Sequence, residues 1–87
     1  MTPSEARRFY EARAKSTIKN IREQKQLSFK ELARRLEAVG VQMSDQVLIN
    51  RVNRGNYSFA FALQLLAVMG VDILEVPKLP EARARVP

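Results

Sequence analysis

The strongest constraint on this chain is the way side-chain oxygens and glycines bracket its apolar segments. Ser28, Ser44 and Ser58 each precede a run of helical period, and Gly40, Gly55 and Gly70 each follow one. A serine hydroxyl satisfies a free N–H at a helix start, and glycine takes the left-handed conformation that ends one. Ser28-Phe29-Lys30-Glu31 is a capping box flanked by Leu27 and Leu32 in staple positions. Met43 and Leu48 occupy the same positions around Ser44. Upstream, Thr2-Pro3-Ser4-Glu5 offers a cap, a proline suited to the first helical position and a carboxylate that reaches back. Asp72-Ile73-Leu74-Glu75 repeats the capping-box pattern, with Pro77 limiting it to about one turn. These signals predict helices over about 3–26, 29–39, 45–54, 59–69 and 73–76. Together they give one all-α domain of four to five helices over residues 1–77. From Lys78 onward the composition, with three cations and two prolines, predicts a flexible basic tail over 78–87.

Eighty-seven residues suffice for one core and not for two. With no Cys and no His, the chain lacks a disulfide framework, a thiolate site, the commonest zinc ligand and the commonest neutral-pH base. No glycine-rich phosphate loop is present, and Ser28, Ser44 and Ser58 are caps with no base to activate them. The expectation is a protein with no catalytic residues, no metal and no cofactor. Fifteen Lys and Arg oppose nine Asp and Glu, a net charge of +6, which favours a polyanionic partner. Met1 to Lys25 is studded with charge and lacks the apolar core of a secretory signal, so the expected location is the cytoplasm. The most apolar stretch, Phe59 to Val71, is shorter than the roughly twenty residues of a membrane span, so no membrane partner is expected.

Along the first helix Ala6, Phe9, Tyr10, Ala14, Thr17, Ile18 and Ile21 form one apolar stripe, with most of the Arg and Lys off it. From the second half of that helix onward, Ile18-Lys19-Asn20-Ile21-Arg22-Glu23-Gln24-Lys25-Gln26-Leu27-Ser28-Phe29-Lys30-Glu31-Leu32-Ala33 resembles the opening of the phage-repressor (Cro/CI, or XRE) helix-turn-helix family. Ile49-Asn50-Arg51-Val52-Asn53-Arg54-Gly55 resembles that family's recognition helix, and Leu63 to Leu74 its closing helix pair. The likeness spans about residues 18–76 and implies a helix-turn-helix fold with an extended N-terminal helix. It departs in two places. The stretch between Leu36 and Ser44 is longer than the family's tight turn by about six residues, making either a longer second helix or a loop. Asn53 stands where the family commonly has a glutamate that pairs with the arginine matching Arg22. The pattern of Asn50, Arg54-Gly55, Ser58 and Phe61 also resembles a group of small bacterial proteins that share a domain of unknown function.

The phage-repressor resemblance implies a small bacterial or phage transcriptional regulator that binds double-stranded DNA as a symmetric dimer. Carried over residue by residue, base contact falls on Gln46, Val47 and Arg51, and phosphate contact on Ser28, Arg54 and the region of Asn56. Gln bonds adenine in two places, Arg does the same to guanine, and Val meets a thymine methyl. Asn50 is a further exposed candidate. Residues 1–38 carry net +5 and residues 39–77 net −1, so the phosphate clamp is expected from the first two helices, through Lys25, Lys30, Arg34 and Arg35. The competing expectation for these cations is a solvated face paired with Glu11, Glu23 and Glu37.

In the fourth helix, Gln64 is the only strongly polar side chain. A helix apolar all round is either central to the core or shared with a partner. The alternative function is therefore a protein-interaction module, antitoxin-like or an adaptor, that uses helix 59–69 and the basic first helix. Phe9 and Tyr10 are the side chains placed to cover that helix or to swap across a homodimer.

Overall fold

A computed structural model describes residues 2–78. Four helices follow one another, α1 (Pro3–Gln24), α2 (Phe29–Ala38), α3 (Asp45–Arg54) and α4 (Phe59–Val68), with no strand among the described residues. Each starts as the caps predict. The Thr2 hydroxyl accepts from the Glu5 N–H at 3.2 Å, Ser28 from Glu31 at 3.0 Å, Ser44 from Val47 at 3.2 Å and Ser58 from Phe61 at 3.1 Å. Such caps contribute about 1 kcal/mol apiece.

The C-terminal ends refine the expected boundaries. Behind α2, the Val41 N–H bonds the Leu36 carbonyl and the Gly40 N–H that of Glu37, and Val71 and Gly70 repeat the pair behind α4. Val39 and Met69 are thus cap residues rather than helical ones. The same closure ends α1 at Gln24, two residues before the expected Gln26, because Gln26 itself takes the left-handed conformation (φ 55°). The Leu27 N–H then bonds back to the Arg22 carbonyl at 2.8 Å, and the Leu27 side chain turns into the core. A non-glycine residue in that conformation costs about 1–2 kcal/mol, so its sequence signal is weak.

The helix expected over 73–76 does not form, and residues 71–78 run without regular structure. One isolated turn fixes several dihedrals for a single hydrogen bond, and Pro77 supplies no N–H to extend it. The segment instead folds back along α1, where the Tyr10 hydroxyl donates to the Pro77 carbonyl at 2.9 Å. Of the tail expected over 78–87, only Lys78 lies within the described residues.

The core gathers Ile18 of α1, Leu27, the α2 residues Leu32, Ala33 and Leu36, Leu48 and Val52 of α3, and Phe61, Leu65 and Met69 around α4. α2 packs on both α3 and α4, and α1 packs on α3. The connection between α2 and α3 is a six-residue loop, Val39 to Ser44, rather than a longer α2. At the far end of α3, Gly55 is buried with φ 69° against the backbone of α1. A Cβ there would strike the Glu11 carbonyl oxygen and lie 3.0 Å from its carbon. This contact fixes how closely α3 approaches α1.

Candidate nucleic-acid interface

Successive residues on a helix are turned by about 100°, so anchoring α3 through Leu48 and Val52 determines what it presents outward. Gln46, Val47, Asn50, Asn53 and Arg54 are all exposed. The Gln46 amide donates to Asn50 Oδ1 at 3.1 Å, which pre-orients two side chains able to read base edges. Val47, 51% exposed, lies beside this pair as an apolar contact for a thymine methyl. The structure therefore brings three of the four sequence-derived base-reading residues onto one surface.

Arg51 is drawn elsewhere. It lies on the flank of α3, with its guanidinium carbon 4.4 Å from the centroid of the buried Phe61 ring. That ring also meets Tyr57 edge-on, with centroids 5.4 Å apart. Arg51 thus covers the core, as well as carrying charge.

The expected phosphate clamp is divided by its own chemistry. Glu31 receives Arg34 Nε at 3.1 Å and Nη2 at 2.6 Å, and Arg35 Nε at 3.1 Å. Hydrogen bonds from these two arginines hold the Glu31 carboxyl below the ordinary carboxylate range, and the bond to Glu31 raises Arg34. Arg35 also donates Nη1 to the Val68 carbonyl at 3.0 Å. The Lys25 ammonium lies 3.6 Å from the Cβ position of Gly70, at the same end of α4. α4 has no basic residue in its own last turn, so Lys25 and Arg35 supply the positive charge that a helix C-terminus favours. Lys30, Arg54 and Asn56 remain exposed, while the Ser28 hydroxyl is engaged as the α2 cap. A groove of about 360 Å³ between α2 and the start of α3 mixes Lys30 and Arg34 with Glu31, Glu37 and Asp45.

Arg22 is held without the glutamate that the phage-repressor resemblance implies at the position of Asn53. Its Nη1 donates to the Leu27 carbonyl at 3.1 Å, and its guanidinium carbon lies 4.1 Å from the centroid of the Phe29 ring. An aromatic face stabilises the cation, although Nε is buried without a partner. Phe29, at a position where the phage-repressor resemblance implies a polar DNA contact, is instead half-buried beneath this arginine.

The sequence reading missed one set of cations. On α1, Tyr10, Ala14 and Thr17 face the cleft toward α4, so the 100° step places Arg8, Lys15 and Lys19 together on the opposite flank. All three are exposed, and Arg8 and Lys15 stand in sequence on either side of Glu11, whose backbone Gly55 abuts. Their spacing of seven and four residues was the available signal.

A family model described as a domain of unknown function (DUF6471) matches residues 10–74. The chain belongs to this family. The DUF6471 region takes in α2, α3 and α4 whole, together with the part of α1 from Tyr10 onward. No curated protein and no solved structure matches the chain. Among the described residues, no helix is long and apolar enough to cross a membrane, and no three His, Cys, Asp or Glu side chains gather to hold a metal.

Proposed function

We propose that this DUF6471 domain binds double-stranded DNA, with α3 as the reading helix, and acts as a transcriptional regulator. The observation that carries the proposal is the outward surface of α3, where amides, an exposed valine and Arg54 are supported from beneath by Leu48 and Val52. Gln46 and Asn50 read adenine edges, and Val47 meets a thymine methyl. Phosphate contact comes from Arg54 and Lys30 flanking α3, and from Arg8, Lys15 and Lys19 on α1. Arg34 joins them only by giving up Glu31.

The test is fluorescence anisotropy with random-sequence duplex across a salt series, followed by selection from a random duplex pool. Binding should weaken with salt at a slope of about −0.9 per phosphate contacted. Gln46→Ala and Asn50→Ala should relax the selected sequence by about 1–3 kcal/mol per lost base contact. Absence of binding at low salt removes the proposal. The competing function, a protein-interaction module, draws its support from the apolar side chains that α4 leaves in solvent.

A further inference from the structure

α4 uses one face for the core, through Phe61 and Leu65, and leaves the other bare. Phe59 is 78% exposed and Leu63 51%. They border a groove of about 520 Å³ whose lining continues through Leu66, Val71, Leu74 and Val76. At roughly 150 Å² per large side chain, the exposed parts of Phe59, Leu63, Leu74 and Val76 amount to about 370 Å². An apolar patch of this size is the largest that a typical monomer carries, and it often marks an interaction site.

We infer that this face is the interface between two copies of the chain. Its area argues for a folded partner, since about 370 Å² is most of the apolar share, about 450 Å², of the roughly 800 Å² that each side of a standard interface contributes. Its charge argues for a second copy. Each molecule carries +6, yet no Lys or Arg occurs from Gly55 to Pro77, and the groove has only Asp72 as a charged member. Two such molecules meet here without setting cation against cation, whereas an acidic partner is drawn to α1 and α2. Anionic lipid likewise finds no cation in the groove lining.

The form of the face also suits a two-fold arrangement. Phe59, Leu63 and Ala67 lie on one stripe at intervals of four residues, a ridge spacing on which two helices interdigitate. A two-fold axis near Leu63 directs Phe59 of each copy into the groove of the other, and every contact is then made twice. None of the outward residues of α3 borders this groove, so the pairing leaves α3 open and holds whatever α3 binds.

Sedimentation equilibrium on the full chain tests it, with circular dichroism to confirm that each variant is folded. The chain should be a dimer at about 100 μM, and Leu63→Glu should raise the dissociation constant at least 100-fold, about 2.7 kcal/mol. Phe59→Ser, at a still more exposed site, should do the same should Leu63→Glu prove unstable. Because the chain has no cysteine, Leu63→Cys should give a disulfide-linked dimer in a glutathione buffer, and Gln46→Cys on α3 should not. A chain that stays monomeric at about 100 μM overturns the inference. So does a dimer that tolerates both face substitutions, or one that cross-links through Gln46→Cys as readily as through Leu63→Cys.

Discussion

Replacing Gly55 with alanine adds one methyl group at the point where α3 meets α1, and its cost can be divided using the chain's other glycines. The conformational part, an L-residue held at positive φ, is about 1–2 kcal/mol. Gly40 measures that part alone, because its φ is 91° and a Cβ there meets nothing within 4 Å. At Gly55 (φ 69°) the Cβ also strikes the carbonyl of Glu11, which is backbone in the middle of a helix and cannot swing away. Forcing a methyl into a packed contact adds about 1–3 kcal/mol. Gly40→Ala should therefore cost about 1–2 kcal/mol and Gly55→Ala about 2–5, against a total stability of roughly 5–10 for a domain of this size. Urea denaturation followed at 222 nm measures both, and a shift of about 4–8 °C in Tm per kcal/mol gives a second readout. Equal losses for the two variants would refute a close α1–α3 approach. Under the proposed DNA reading, affinity offers a further readout, since a displaced α3 moves Arg54 and Asn56 relative to the cations of α1 without changing any side chain.

Arg51→Ala should cost about 0.5–1 kcal/mol of stability through the lost contact with Phe61, measurable by denaturation without any ligand. Arg35→Ala removes the bond to the Val68 carbonyl and should destabilise by about 1 kcal/mol or more, with hydrogen exchange fastest at the end of α4. Glu31 has a lowered folded-state pKa, so its contribution is present above the unfolded value of 4.5 and is lost as pH falls through the lower folded value. The stability difference between wild type and Glu31→Gln should therefore shrink on acidification below pH 4.5. Tyr57 behaves oppositely, because burial raises its phenol above the usual 10. Its contribution is complete below pH 10 and is lost as pH rises through the folded value, so Tyr57→Phe should flatten the alkaline limb of a pH–stability curve.

Helix starts were legible because each rests on a single side-chain oxygen at a fixed spacing, and Ser28, Ser44 and Ser58 all make the bond that their position implies. Stops were legible where glycine supplied the left-handed residue. At Gln26 that conformation is imposed by burial of Leu27, a tertiary cause that local spacing does not carry. The box at Asp72-Ile73-Leu74-Glu75 has the right residues but too little chain before Pro77. Gln46, Val47 and Asn50, taken from the phage-repressor resemblance and from exposure, share the outward surface of α3 because helical period groups them. Arg51, one residue beyond, sits at the edge of that period, where the ring of Phe61 on another helix decides its direction. The roles of Arg35 and Lys25 at the end of α4 depend on which helix lies nearby, and composition could not reveal them.

The hydrogen bond from Tyr10 to Pro77 joins residues 67 positions apart, so the start of α1 and the segment after α4 leave the fold at one pole. A force applied through the two ends therefore loads this bond and the α1–α4 cleft first, opening them one contact at a time like a zip. Helices pulled lengthwise past one another would resist with many contacts at once; this arrangement does not.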